Sequence, residues 1–177
     1  MKKLLSAALA LALVFAFFAP AAAAAQSDTY PAIATNNTIV VSNSADAPDA
    51  HVVTPAVYKI DGYNYFKLRD LAMLLNGSAR QFAVEYDEGT KSVSITSGRS
   101  YMAIGGELSG AAAETAEAII SNNTVSIDGE LVDFTVYKID GANYFRLRDL
   151  GKALDFHVGY NDDIKTVYIS GARGYEE

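Results

Sequence analysis

The stretch Val57–Leu71, VYKIDGYNYFKLRDL, is written again at Val136–Leu150 as VYKIDGANYFRLRDL. Thirteen of the fifteen positions are identical; Tyr63 becomes Ala142 and Lys67 becomes Arg146. In both copies VYKI alternates apolar and polar residues, as a half-buried strand does. Asp61-Gly62 and Asp140-Gly141 follow at once, and Gly accepts the positive φ that a tight turn requires. The aromatic pair Tyr65-Phe66 opens a second arm, so each copy reads as a hairpin. The period then changes from two to helical. Leu68, Leu71, Leu74 and Leu75 form one apolar stripe, and Leu147, Leu150 and Leu154 form another. A helix of two to three turns is marginal alone and needs a sheet against its leucines.

The duplication extends in both directions. Upstream, NNTIVVS from Asn36 resembles NNTVSID from Asn122, and the β-branched runs Thr38–Val41 and Thr124–Ile127 read as strands. Downstream, FAVEYDEGTKSVSI from Phe82 matches FHVGYNDDIKTVYI from Phe156, a strand–turn–strand pattern. The offset between copies is 79 residues in the hairpin and 74 after the helix, so the second copy lacks about five residues near Asn76-Gly77-Ser78-Ala79-Arg80. SYMAIGGEL, from Ser100, reads as a strand ending in a turn. SGAAAETAE, from Ser109, lacks alternation and reads as a linker. The expected fold class is therefore α+β: two homologous units, each a small twisted antiparallel sheet wrapped around one short helix. The expected boundaries are 1–25 for a signal peptide, 26–108 for the first unit, 109–115 for the linker and 116–177 for the second unit. A unit of that size has a small core, and docking two together buries more.

The first 25 residues carry Lys2 and Lys3, an apolar run from Leu4 to Phe18, and a run of alanines after Pro20. This is the pattern of a cleaved secretory signal, with an uncleaved anchor as the alternative; the run is shorter than the ~20 apolar residues a spanning helix needs. The expected localisation is secreted or extracellular, in association with the cell wall, and with no stable membrane anchor after cleavage. The 177-residue chain has no Cys, so it has no disulfide frame, thiolate metal site or thiol nucleophile. Its formal net charge is −7, and removing Lys2 and Lys3 leaves −9. That argues against nucleic acid as a partner, because phosphate recognition needs basic patches.

The strings NYFKLRDLAMLLNGSARQFAVEYDEGTKSVSITSGRSYMAIGGEL, from Asn64, and NYFRLRDLGKALDFHVGYNDDIKTVYISG, from Asn143, resemble the copper amine oxidase N-terminal-like domain, or stalk domain. Between them they cover most of the chain after the signal. The resemblance implies a sheet curled around a helix, in a non-catalytic module of exported and surface proteins of Gram-positive bacteria. Where many members carry Val-Pro before Leu-Arg, this chain has Phe66-Lys67 and Phe145-Arg146, which marks a variant subgroup. The family name is not read as an activity. A copper oxidase needs several imidazole ligands, and this chain has two His, His51 and His157, at non-equivalent positions of the two copies.

No catalytic residue, cofactor or metal ligand is assigned. The acidic turns Tyr86–Lys91 and Tyr160–Lys165 lack calcium-loop spacing and read as hairpin tips. G-x-S-x-G, H-E-x-x-H and P-loop motifs are absent. The Arg69-Asp70 and Arg148-Asp149 pairs read first as fold determinants, with Asp at a helix start and Arg bridging to a carboxylate such as Asp61 or Asp140; the alternative is ligand contact through the Arg fork. Tyr58, Tyr63, Tyr65, Tyr137 and Tyr144 are candidates for stacking on sugar rings, against a reading as sheet cover or unit contact. Candidate ligand-binding residues are these five tyrosines with Arg69 and Arg148. The expected function is a non-catalytic surface module that spaces, docks or binds cell-wall polysaccharide or peptidoglycan. The alternatives are a secreted partner or inhibitor of another envelope protein, acting through exposed sheet edges, and, last, a small hydrolase.

Overall fold

The computed structural model describes residues 28–44 and 49–177; the expected signal peptide, 1–25, lies outside them. The first copy contains β1 (Thr29–Ala34), β2 (Thr38–Ser42), β3 (His51–Val53), β4 (Val57–Ile60), β5 (Tyr63–Lys67), α1 (Leu68–Leu74), β6 (Phe82–Asp87) and β7 (Ser92–Ser97). The second contains β8 (Thr115–Ile120), β9 (Thr124–Ile127), β10 (Glu130–Val132), β11 (Val136–Ile139), β12 (Ala142–Arg146), α2 (Leu147–Ala153), β13 (His157–Asn161) and β14 (Thr166–Ser170). The expected hairpins form, β4 with β5 and β11 with β12. Asp61 and Gly62 both have positive φ, 49° and 85°, as do Asp140 and Gly141 at 48° and 81°. A two-residue turn with positive φ at both positions matches the right-handed twist of its arms, which is why Asp-Gly is written there twice.

The α+β expectation, with each copy folding its own sheet around its own helix, is corrected by the strand pairing. The protein is mostly β. Strands β1-β4-β5-β12-β11-β8 close into a six-stranded barrel drawn equally from both copies, and two four-stranded sheets, β10-β9-β7-β6 and β13-β14-β2-β3, flank it. Neither flanking sheet belongs to one copy. The last hairpin of the first copy lies parallel to the second copy's β9, through β7, with Ser92 opposite Thr124. The last hairpin of the second copy lies parallel to β2, through β14, with Thr166 opposite Thr38. The copies are interleaved, and a parallel pair between distant segments leaves no turn signal in the chain to announce it.

The registers define a pseudo-two-fold axis. Phe66 pairs with its own counterpart Phe145 where β5 meets β12, and Pro31 pairs with its counterpart Glu117 where β1 meets β8. The axis thus crosses the barrel from one wall to the other. The barrel interior is filled by Tyr58, Tyr65, Tyr137 and Tyr144 with Ile60 and Ile139, packed against the small residues Ala32 and Ala118 of β1 and β8. Bulky and small residues facing one another is how a narrow barrel fills without a lumen. The tyrosines meet edge to face across the axis, Tyr58 with Tyr144 at 5.5 Å and Tyr65 with Tyr137 at 5.1 Å between ring centroids. Such pairs contribute ~0.5–1.5 kcal/mol each beyond the area they bury.

A second, larger core lies outside the barrel wall. There Phe66, Phe145 and the helix leucines pack against Ile39, Val41, Val93, Ile95, Val167 and Ile169 of the composite sheets. Leu68, Leu71, Leu74 and Leu75 are all buried, as the helical spacing requires. Two further expectations change. Residues 100–108 form a loop instead of a strand, and the expected linker runs into barrel strand β8 at Thr115. The stretch before β8 is itself docked: the Ala113 N–H donates to the Tyr58 hydroxyl at 3.0 Å and the Ala34 N–H donates to the Glu114 carbonyl at 3.0 Å.

The five residues present only in the first copy fasten the halves together. Arg80 Nε donates to the Asp155 carbonyl at 2.7 Å, Nη1 to the Ala172 carbonyl at 3.1 Å, and Nη2 to Asp155 Oδ2 at 3.3 Å. Ser78 packs against Gly171 so closely that a Cβ there would strike its side chain.

Candidate binding clefts

Two clefts flank the β5–β12 seam, and each is built from both copies. The first, of about 510 Å³, is walled by the start of α1 and β6 from the first copy and by the β11–β12 turn from the second. The second, of about 420 Å³, is walled by the start of α2 and β13 from the second copy and by the β4–β5 turn from the first. Their linings correspond through the pseudo-two-fold: Lys67 with Arg146, Arg69 with Arg148, Tyr86 with Tyr160, Lys138 with Lys59, Asn143 with Asn64, and Ala142 with Tyr63. Hairpin and helix start are contiguous in sequence, yet they serve opposite clefts.

This arrangement explains the two mismatches in the repeated stretch. Tyr63 and Arg146 belong to one cleft, where the guanidinium carbon lies 3.5 Å from the ring centroid, a cation–π contact. Ala142 and Lys67 belong to the other. The ring and the planar cation occur together, and so do the methyl and the ammonium.

The charges differ as well. The first cleft is lined by Lys67, Arg69 and Lys138 against Asp70, Glu88, Glu107 and Asp140. The second is lined by Lys59, Arg146, Arg148 and Lys165 against Asp162 alone, which Lys165 already pairs at 2.6 Å. Asp70 is 1% exposed; Oδ1 accepts from the Leu108 N–H at 3.0 Å, and Oδ2 has no partner. Burial pushes its carboxyl above the usual carboxylate range, despite that hydrogen bond and the nearby Lys67. Glu107 fastens the loop beside it: Oε1 accepts from the Tyr101 hydroxyl at 2.6 Å and the Ile104 N–H at 3.0 Å, and Oε2 from the Gly105 N–H at 3.0 Å. The Tyr101 hydrogen bond first, then those N–H groups, hold its carboxyl down at about 2. Tyr101 is pushed up to about 12, by burial first and then by Glu107, with the Arg69 guanidinium opposing.

The candidate residues separate cleanly by location. Arg69 lines the first cleft; Arg148 and Tyr63 line the second, and Tyr63 is 47% exposed. Tyr58, Tyr65, Tyr137 and Tyr144 are inside the barrel, each 5% exposed or less, so they have no face free to stack on a sugar. Burial pushes the Tyr65 hydroxyl up to about 12 and raises Tyr137 and Tyr144 too. No ion pair joins Arg69 or Arg148 to Asp61 or Asp140 among the described residues. Cleft residues outside the sequence-derived candidate set include Arg146, Lys59, Asn64 and Tyr160. Arg146 and Tyr63 were marked in the sequence as the mismatched positions, but nothing in the chain says that they face each other.

Among the described residues no group of three or more His, Cys, Asp or Glu is arranged to hold a metal ion. His51 and His157 lie on the opposite edge strands β3 and β13 of one sheet, three strand spacings or about 14 Å apart. No helix among the described residues is long and apolar enough to cross a membrane. A scan against protein-family models, a search of curated proteins and a search of solved structures each find no match.

Proposed function

We propose that this protein is a non-catalytic, exported module of the bacterial cell surface that binds wall glycan through its paired clefts. The observation that carries the reading is the pair itself. Each cleft is of small-ligand size, within the ~300–1,000 Å³ common to such sites, and each presents Asn and Tyr side chains and several long cations beside two valines. Amide, phenol and guanidinium groups hydrogen-bond hydroxyl-rich ligands, and the duplication supplies two such sites on one body, which raises avidity for a repeating polymer. The resemblance of the NYF(K/R)LRDL segments to stalk-type domains supports a surface setting, and the secretory pattern of the first residues supports export.

Co-sedimentation of the purified chain with isolated cell wall tests the proposal. The expected result is binding that soluble wall oligosaccharides compete away. A chain that stays in solution, or one whose pelleting no saccharide relieves, overturns it. A second reading rests on Val52 and Leu131, which correspond in the two copies and stand 64% and 80% exposed on the edge strands β3 and β10. An apolar residue on an unpaired edge suits strand addition by a protein partner. Failure to sediment, together with loss of a captured envelope protein on Val52→Lys with Leu131→Lys, would favour that reading.

A further inference from the structure

We infer that the two clefts have different ligands, and that the second, at Tyr63 and Arg146, is selective for a carboxylate-bearing sugar; this rests on the glycan-binding reading above. The argument compares matched positions. In the first cleft, Asn143 Oδ1 accepts a hydrogen bond from Asn123 Nδ2 at 3.3 Å; its counterpart Asn64 Oδ1 is buried, lines the second cleft and has no partner. In the first, Arg69 is engaged beside the Tyr101 hydroxyl; its counterpart Arg148 has no ion pair among the described residues. In the first, Lys67 is a flexible point charge. Its counterpart Arg146 holds its guanidinium carbon over the Tyr63 ring, 3.5 Å from the centroid, with Nε free of hydrogen bonds and the Asp149 carboxylate 3.8 Å from it.

The first cleft has thus engaged its Asn and its helix-start Arg, with Asp70 Oδ2 left unpartnered, and the second has left the matching Asn and Arg open. A stacked guanidinium is fixed in plane and presents its N–H edge, the geometry that takes a carboxylate with two parallel hydrogen bonds. Lys59 and Arg148 add charge, and the one acid lining this cleft, Asp162, is already paired with Lys165. The unfilled Asn64 oxygen needs a donor, and a sugar hydroxyl is one. A single uronic-type ring carries both the carboxylate and the hydroxyls. The chain as a whole is acidic, at −7, so a polyanion is repelled except where such a cleft focuses positive potential.

The chain itself supplies the controls, because each copy shows what the other tolerates. The test is titration calorimetry of the full chain with an oligogalacturonate and with its carboxyl-reduced counterpart. A parallel arm measures co-sedimentation with wall material before and after amidation of its carboxyl groups, which separates a wall-borne acid from a free acidic oligosaccharide. The expected result is one carboxylate-dependent site, weakened about tenfold or more in Tyr63→Ala with Arg146→Lys, as loss of charge-assisted hydrogen bonds implies. The reverse pair, Lys67→Arg with Ala142→Tyr, is expected to strengthen carboxylate binding at the first cleft. Equal binding of the acidic and reduced sugars, or an unchanged affinity in the Tyr63→Ala/Arg146→Lys variant with its melting temperature intact, overturns the inference and leaves the glycan reading standing. No binding of any saccharide or wall preparation overturns both.

Discussion

Inside the barrel, Tyr58 meets Tyr144 and Tyr65 meets Tyr137, one contact written twice by the pseudo-two-fold; at the clefts, Arg146 lies on Tyr63 while Lys67 shares a wall with Ala142. Each barrel tyrosine is coupled to a non-equivalent tyrosine of the other copy, inside a closed core. A change at one lands next to the unchanged other, and close packing penalises both overfilling and voids. The cleft positions are coupled across copies in the same way but are open to solvent, so they change in pairs without strain. Identity between the copies therefore marks packing near the axis, and difference marks surface that is free to specialise.

The sharpest test of that division is at the axis. Phe66 and Phe145 are paired to each other and fully buried. Either change to Ala is expected to cost about 3–5 kcal/mol in denaturant unfolding. The two should not be equal. Phe134 packs edge to face on Phe145 at 5.9 Å, and Pro55 stands at the corresponding place in the first copy. Phe145→Ala should therefore cost more, by about 0.5–1.5 kcal/mol. If Phe66→Ala proves the costlier of the two, the barrel wall is less symmetric than its register.

A second test uses the five extra residues. Gly171 and Ser97 are counterparts, but only Gly171 faces Ser78, whose Oγ and Cβ occupy the space a new Cβ would need, with Asn43 Oδ1 at 3.0 Å. Gly171→Ala is expected to cost about 1–3 kcal/mol, a loss of several degrees in Tm for a chain of this length. Ser97→Ala, on an exposed strand end, should stay within about 0.5 kcal/mol. Ser78→Gly should restore part of the loss in the double variant, the non-additivity expected of groups in contact. Additive effects would mean that the loop moves aside and does not clamp the second copy.

What the chain announces and what it hides follow the same physics. The repeated hairpin was legible because Asp61-Gly62 and Asp140-Gly141 fix a local turn, and both helices because the leucine spacing is local. A third Asp-Gly pair, Asp128-Gly129, also has positive φ at both residues and turns β9 into β10; its signal is weaker because the arm beyond it is three residues long. The barrel was illegible. Its closure depends on β1 meeting β8 and β5 meeting β12, contacts between residues 77 or more apart that leave no periodicity behind. The parallel joins hid the exchange of terminal hairpins in the same way. At the clefts, Arg69, Arg148 and Tyr63 were readable as residue types. For the four barrel tyrosines the sequence leaves sugar stacking and sheet cover both open, because alternation along a strand says that one face differs from the other, not which face is closed. A further echo, Gly98-Arg99-Ser100-Tyr101 with Ala172-Arg173-Gly174-Tyr175, shows in the contacts. Asn76 Oδ1 accepts from the Tyr101 N–H at 2.9 Å, and Asp155 Oδ1 accepts from the Tyr175 N–H at 3.0 Å.

The smallest expected effect concerns the two aspartates of the repeated Leu-Arg-Asp. Asp70 is sealed under Leu108, whereas Asp149 has a side chain 40% exposed beside Arg146. Burial holds the Asp70 carboxyl protonated to higher pH than the unfolded chain does. The folded state then binds more protons across that window, so the Asp70 contribution to stability falls as pH rises from about 4. Glu107, the residue before Leu108 in the same loop, works in the opposite sense. Its carboxyl is held at about 2, so its contribution is present above the ordinary carboxylate range and is lost as pH falls toward 2. Asp70→Asn keeps an acceptor for the Leu108 N–H and removes the titration. Between pH 4 and 7 the variant should lose the part of the stability slope due to Asp70, which for one proton cannot exceed about 1.4 kcal/mol per pH unit. Asp149→Asn should track the parent within about 0.5 kcal/mol. Urea unfolding at a series of pH values reads both. Parallel curves for parent and Asp70→Asn would mean that water reaches the carboxylate and that the 100–108 loop does not seal the first cleft.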